Sequence, residues 1–312
     1  MILVTGGTGF IGRVLIRHLV ENGYQVRTLI RPSKSTPRLP RGIDIDVSVA
    51  SLNDFRGLRA AMTGVDTIFH LAGVERLGTS ADLLAVDIEG TRNLVNAAVD
   101  ADVNQIYYLS HLGSDRASAY PILKAKAISE GYISRSGIHY TILRTGLVFG
   151  TNDMFTTGLA QLLRSSPFFF YVPGDGENLI QPLWVEDLAT CLTWSLDDKS
   201  LTDRIYEIGG PEFLSLNTII QVLIQKLNLR RKIVHLPPPM VRFFTVVLEY
   251  LLPASPVSVY WLDYFSTNRT CALDTIPRVF NLLPSRFSKR LDYLDEKNWF
   301  VEFWKNSLRG RS

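Results

Sequence analysis

Three glycines at a spacing of three, Gly6, Gly9 and Gly12, stand directly between a short apolar run and a helical pattern. Ile2 to Val4 is wholly apolar and predicts a buried strand. Gly12 to Asn22 carries Val14, Leu15, Leu19 and Val20 at helical spacing and is closed by Gly23. In such a strand–turn–helix unit Gly6 permits the tight turn, Gly9 lets the backbone approach a pyrophosphate, and Gly12 allows close packing of helix on strand. The bare amides and the positive end of the helix dipole then face the phosphates. A glycine pattern alone is weak evidence, but here the strand precedes it and the helix follows. The loop Gly6, Gly7, Thr8, Gly9, Phe10, Ile11 and Gly12 is therefore the expected binding element for an NAD(P)(H) dinucleotide.

The rest of the first half repeats this alternation. Strands are expected over residues 25–30, 43–49, 65–72, 105–109 and 140–143, and helices over 55–62, 83–100 and 120–136. That order predicts an α/β fold, a doubly wound parallel Rossmann sheet with right-handed crossovers. After about residue 150 the alternation fades. Residues 1–150 are expected to form the nucleotide-binding domain, its sheet completed by parts of 178–210. Residues 151–177 and 211–312 are expected to form a smaller, mostly helical substrate or interaction region.

The end of the second strand bears on which dinucleotide is bound. An acidic residue there would accept from a ribose 2′-hydroxyl; Ile30 and Arg31 stand there instead, with Ser33 and Lys34 beyond. A guanidinium suits a 2′-phosphate, so NADP(H) is favoured over NAD(H) through Arg31.

Bulk properties remove several alternatives. A net charge of +3 is too small an excess for a nucleic-acid binder. Arg230, Arg231 and Lys232, with Arg309 and Arg311 in the tail, read as solvated positions or as contacts to an anionic membrane surface. Two cysteines 80 residues apart, Cys191 and Cys271, form neither a metal pattern nor a disulfide framework, which fits a cytoplasmic setting, and the five histidines show no metal spacing. The first strand is expected to start at Met1 or Ile2, and no leader is expected before it. No run of 18 apolar residues occurs, so no spanning helix is expected. The stretch Met240 to Leu252 is very apolar but carries Arg242 and Glu249, and it predicts a buried or interfacial helix.

The motifs together resemble the extended short-chain dehydrogenase/reductase family, which includes sugar-nucleotide epimerases and dehydratases. Residues 5–12 match its glycine loop. His70-Leu-Ala-Gly73 resembles the motif after its fourth strand, adding Leu71, Ala72 and Gly73 to the cofactor contacts. Tyr120 and Lys124 match its YxxxK pair, Leu143-Arg-Thr-Gly146 its turn after the sixth strand, and residues 181–187 the segment where the chain re-enters the core. An atypical branch containing an accessory Rossmann subunit of respiratory complex I is also similar, in Ser110-His-Leu-Gly113, in the spacing to Tyr120 and in the proline-rich, apolar C-terminal third. That branch implies tightly held NADP(H) without established turnover.

The resemblance implies Tyr120 as general acid/base, Lys124 as the ribose contact that also lowers the phenol's pKa, and Ser110 or His111 as the group orienting a substrate carbonyl. Helical positions i and i+4 share a face, which would bring Tyr120 and Lys124 into one cleft. Pro121 biases Tyr120 away from helical φ/ψ, towards a cap position. Asp87 stands where the family often has Asn, and Ser51 where it often has the Asp that touches the adenine. Two function classes follow. One is an NADP(H)-dependent oxidoreductase or epimerase of a small or apolar carbonyl or alcohol, quinones included. The other is a non-turnover NADP(H)-binding protein that serves assembly or redox sensing at a respiratory or membrane complex, peripheral to the membrane. Oligomeric state stays open.

Overall fold

The computed structural model describes residues 1–33, 36–37, 39–251 and 256–295. Lys34, Arg309 and Arg311 lie outside them. All four residues of the first strand, β1 (Ile2–Thr5), are buried. A strand buried on both faces can afford no alternation, which is why it reads as a continuous apolar run.

From β1 the chain builds α1 (Phe10–Glu21), β2 (Val26–Ile30), β3 (Asp46–Val49), α2 (Phe55–Ala61), β4 (Thr67–His70), α3 (Gly90–Asp100), β5 (Gln105–His111), α4 (Pro121–Ser134) and β6 (His139–Thr145). The last strand of the sheet, β7 (Arg204–Ile208), arrives after an excursion through α5 (Thr156–Ser165) and α6 (Val185–Trp194). Seven strands form one parallel sheet in the order β3-β2-β1-β4-β5-β6-β7. This is the expected doubly wound α/β fold. One face is covered by α1 and α6, whose Leu15, Leu19, Leu188 and Cys191 pack on Phe69 and Tyr107. The other is covered by α2, α3 and α4, with Leu58, Leu94 and Ile133 against Leu3, Ile68 and Ile106. Strand order reverses between β1 and β4. There the two crossovers leave on opposite faces and open a crevice at the carboxyl ends of the strands.

Three local departures from the sequence expectations matter later. The third strand is confined to Asp46–Val49, a mostly exposed edge. The helix expected over 83–100 begins as a π turn, Leu84–Glu89, and becomes α-helical only from Gly90. Such wide turns reset side-chain directions. Third, α4 begins at Pro121, with Tyr120 outside it in an extended conformation (φ −86°, ψ 117°). Proline fits the first helical position and disfavours the helical region for the residue before it. Glu186 and Asp187, which suggest a cap for α6, make no cap bond. Glu186 instead accepts from Arg17 at 2.6 Å and bonds His18 Nε2 at 2.7 Å, tying α6 to α1, while Asp187 accepts from the Ser285 amide at 2.6 Å.

The C-terminal region has its own core of Leu163, Ile219, Leu223, Phe265 and Phe287. It is built from α5, α7 (Leu216–Lys226), α8 (Pro238–Leu251), α9 (Val259–Tyr264) and α10 (Thr275–Phe280), with a two-stranded parallel ribbon pairing Phe169–Pro173 with Lys232–Leu236. Within α8 only Thr245 and Glu249 are buried. Phe243, Tyr250 and Leu251 are 65%, 86% and 64% exposed, so α8 is surface-lying rather than a core helix. Among the described residues no helix is long and apolar enough to cross a membrane.

Candidate functional site

The glycine loop lies at the strand-order reversal. Gly6 has φ +71°, and a Cβ there would sit 2.7 Å from the carbonyl carbon of Leu71, so only glycine fits beside β4's exit. A Cβ on Gly12 would collide with the Gly6 carbonyl, and one on Gly7 with the Thr28 hydroxyl. Gly9 is different. Its Cβ would meet only the Gly6 oxygen, at 3.0 Å, because the other side is open cleft. Gly9 is also the N-cap of α1, and no side chain caps that helix. The helix's first amides are therefore left to face the cleft.

The cleft has a volume of about 440 Å³ and follows the ends of the strands. At the β2–β3 end it is lined by Arg31, Ala50, Ser51 and Asn53, with Arg31 exposed. In the middle lie Gly6, Thr8, Gly9, Phe10, Ile11 and Gly12, faced by Leu71, Ala72 and Gly73 after β4. At the β5–β6 end come Ser110, His111, Lys126 and Thr145, roofed by Tyr260, Trp261 and Tyr264 of α9. The His111 ring centroid is 6.4 Å from those of both Tyr260 and Tyr264.

Under the middle of the cleft sits a fully buried imidazole. His70 Nδ1 is 2.7 Å from Thr5 Oγ1 and Nε2 is 2.9 Å from Thr91 Oγ1. The Thr91 hydroxyl donates its single proton to the Asp87 carbonyl at 2.6 Å. Nε2 must then be the donor to Thr91, and Nδ1 accepts from Thr5. Burial, reinforced by the Lys126 charge, pushes the His70 pKa down to about 3, so the ring is neutral at physiological pH. At the β5–β6 end the buried Lys126 ammonium donates to Asp87 Oδ1 at 3.0 Å, and the other oxygen of that carboxylate accepts from the Val74 amide at 3.2 Å. The π turn is what directs Asp87 inward to do this.

A family model described as NAD(P)H-binding matches residues 6–169, more than half of the chain. The chain is an NAD(P)H-binding member of the extended short-chain dehydrogenase/reductase family. It is 25% identical to NADH dehydrogenase (ubiquinone) 1 alpha subcomplex subunit 9, mitochondrial, of Arabidopsis thaliana, over 87% of this chain and 69% of that protein. It is 23% identical to the photosystem II assembly factor Ycf39 of Synechocystis, over 95% of this chain and 90% of that one. The NADPH-dependent quinone oxidoreductase QOR2 of Escherichia coli, solved with NADPH, has the same fold, with a TM-score of 0.74 at 20% identity over 95% of this chain and all of that one.

Against this family's pattern, the expected residues separate. Every loop residue but Gly7 lines the cleft, as do Arg31, Leu71, Ala72, Gly73, Ser110 and His111. Gly7 is turned against Thr28 and Ile16 beneath the loop. Tyr120 and Lys124 are not brought into the cleft. Lys124 is exposed. Tyr120 lines a second cavity of about 580 Å³ with Asp175, Arg242 and Asp263, and its hydroxyl lies 2.7 Å from Ser266 Oγ. Pro121 starts α4 one residue after Tyr120, which leaves the tyrosine outside the helix, while Lys124 lies within it but about 200° of turn from Lys126. The buried side of α4 carries Leu123, Lys126, Glu130 and Ile133, and of these Lys126 lines the cleft. The lysine that reaches the cleft is Lys126, and one turn before it stands Ile122. A lysine falling in register with Leu123 and Ile133 was the sequence signal for it.

Ser110 lines the cleft but is already committed. Its hydroxyl donates to Glu130 Oε1 at 2.6 Å, and Glu130 also takes a two-pronged bond from Arg144 at 2.9 and 2.7 Å. A serine has one proton to give. The side-chain cluster of α9 had no sequence signal. Its Tyr260, Trp261 and Tyr264 form an ordinary apolar pattern, and only the tertiary fold turns it over the cleft.

Proposed function

We propose that the chain holds NADPH as a resident ligand, without turnover, while docked on a membrane-bound protein complex. The observation that carries this reading is the buried Lys126–Asp87 pair. Proton transfer by a phenol at neutral pH needs a nearby uncompensated cation to lower a pKa of about 10. Here the lysine's charge is matched by a carboxylate, and the residue one turn earlier is Ile122. Lys126 is then a ribose hydroxyl donor whose position Asp87 fixes. Ser110, donating to Glu130, is a wall of the site rather than a carbonyl donor.

The preference for NADPH rests on Arg31 at the cleft's β2–β3 end, where Ile30 and Arg31 stand in place of an acidic residue. The docking rests on the exposed apolar face of α8, larger than isolated surface hydrophobics account for, and on a complex I subunit and a photosystem assembly factor standing among the relatives. A second reading, direct hydride transfer to a flat apolar acceptor such as a quinone, is favoured by the three aromatic rings at the cleft's β5–β6 end.

The test is purification followed by identification of the bound nucleotide. Stoichiometric NADPH that is not oxidised by added carbonyls or quinones is expected; steady acceptor-dependent oxidation would establish the second reading instead. Arg31→Asp should move the NADPH-to-NADH affinity ratio toward NADH by about tenfold, the scale of one charge-assisted contact, and an unmoved ratio defeats the 2′-phosphate argument. Co-sedimentation with native membranes but not with protein-free vesicles is expected for docking on a complex; equal binding to both would mean a lipid surface.

A further inference from the structure

Glu249 lies on α8, among side chains that mostly face outward, yet it is only 6% exposed. Its carboxylate is turned inward between two other segments. One oxygen accepts from the Thr79 hydroxyl at 3.0 Å and from the Thr79 amide at 3.4 Å; the other accepts from the Val259 amide at 3.1 Å. Gly78, beside Thr79, has φ +58°, and a Cβ there would collide with the Glu249 carboxylate. The glycine is thus required for the close approach as well as for the turn.

Both segments held by Glu249 are walls of the cofactor cleft. Glu75–Ser80 follows β4 and supplies Leu77. Val259 opens α9, which supplies Tyr260, Trp261 and Tyr264. The other end of α9 is held by a second buried charge. Arg269 donates from Nε to the Tyr264 carbonyl at 2.9 Å and from Nη1 to the Leu112 carbonyl at 3.2 Å, which anchors the helix to the end of β5, and its guanidinium lies 4.6 Å from the Tyr264 ring centre. The six-residue helix is therefore clamped at both ends. The Arg269 clamp fixes it to the central sheet, whereas the Glu249 clamp fixes it to a surface helix.

We propose that Glu249 is a positioning residue for dinucleotide retention: it holds the roof made by residues 75–80 and α9 closed over the β5–β6 half of the cleft, so that its bonds set how fast the dinucleotide leaves. The proposal rests on the reading of the cleft as the dinucleotide site. The adenosine half is assigned to the β2–β3 end by the place of Arg31, which leaves the nicotinamide half under this roof. A carboxylate that accepts three hydrogen bonds cannot be replaced by an amide without turning an N–H toward a donor, so the clamp is specific to the charge.

The experiment uses the full chain and NADPH as probe. Energy transfer from protein tryptophan to bound NADPH reports binding, and Trp261→Phe identifies the share arising from the roof. Stopped-flow mixing gives the association rate, and displacement by excess NADP⁺ gives the dissociation rate. Glu249→Gln is expected to raise the dissociation rate about tenfold, the consequence of losing a charge-assisted bond. Association should change by less than about twofold, since the glycine loop is untouched. A purely structural role would instead lower the fraction of binding-competent protein and leave the dissociation rate of that fraction unchanged. Thr79→Val weakens the same clamp from its other side and carries the test where Glu249→Gln yields no folded protein; about threefold faster release is expected. Wild-type protein that binds NADPH and variants that release it at the wild-type rate overturn the clamp alone. Wild-type protein with no affinity for NADPH overturns the reading of the cleft and the clamp with it.

Discussion

The floor and the roof of the cleft are made in different ways. The floor is β1, the glycine loop, the start of α1 and the end of β4. It is contiguous in sequence apart from β4, and its geometry is dictated by what is missing: side chains at Gly6, Gly9 and Gly12. The roof is residues 75–80 and α9, tied to α8 across as many as 170 positions by the single carboxylate of Glu249. A floor made of backbone recognises what all dinucleotides share. A roof made of side chains decides what happens at the reactive end. That division explains how one fold can serve both reductases and non-catalytic binders: chemistry is altered at the β5–β6 end and above it, while the diphosphate cradle stays as it is.

The harshest way to break the comparison is to damage the floor with one methyl group. Gly12→Ala places a Cβ against the Gly6 carbonyl and within 2.8 Å of Gly7 Cα. The loop must open, at an overpacking cost on the order of 2–3 kcal/mol, which equals a loss of about a hundredfold in NADPH affinity by titration calorimetry. Affinity within threefold of wild type would mean that the cradle tolerates rearrangement and that the roof, not the floor, carries retention.

A smaller effect is expected from acid, and it also belongs to the floor. His70 stays neutral in the folded protein down to about pH 3, whereas an unfolded histidine takes up a proton near pH 6.5. The depressed pKa makes the unfolded state the better proton acceptor, so stability is full above about 6.5 and is lost as pH falls through the window between the two values. At pH 5 the loss is about 2 kcal/mol, from 1.36 kcal/mol per pH unit. Urea denaturation at pH 7 and pH 5 measures it, and His70→Gln should remove that share of the difference. Parallel falls in wild type and variant would assign the acid sensitivity to other groups.

The two regions were also unequally legible. The glycine loop and the alternating strands and helices followed from local pattern, because a doubly wound sheet writes its burial into each strand. The end of β2, with Arg31 lining the cleft, followed from the same local logic. What stayed hidden depended on register or on distance. Tyr120 and Lys124 have the family spacing, but Pro121 leaves Tyr120 outside α4, and Lys124 lies on its exposed side, two residues before the Lys126 that lines the cleft. Asp87 needed a π turn to face inward, and no residue pattern distinguishes that turn from a continuous helix. The exposure of α8 was one of two readings open to an apolar stretch holding Arg242 and Glu249. The glutamate is the buried one and the aromatic rings are outside, the reverse of ordinary hydropathy.

The mildest expected outcome is the sharpest test of that register argument. Tyr120→Phe removes a hydroxyl that lies 2.7 Å from Ser266 Oγ in the second cavity, on the far side of α9 from the dinucleotide. The helix separates the two spaces because Tyr260, Trp261 and Tyr264 face the cleft, while Leu262, Asp263 and Ser266 line the other cavity. Losing a partly exposed, neutral hydrogen bond costs about 1 kcal/mol of stability, and NADPH affinity should stay within about twofold. The same substitution in an enzyme that used this phenol for proton transfer would leave binding intact and abolish turnover. Measuring both quantities on one preparation therefore separates the cases: unchanged affinity with no turnover to lose keeps Tyr120 in the second cavity's wall, whereas acceptor-dependent NADPH oxidation that disappears in Tyr120→Phe would require α4 to rewind by a residue and carry the phenol into the cleft.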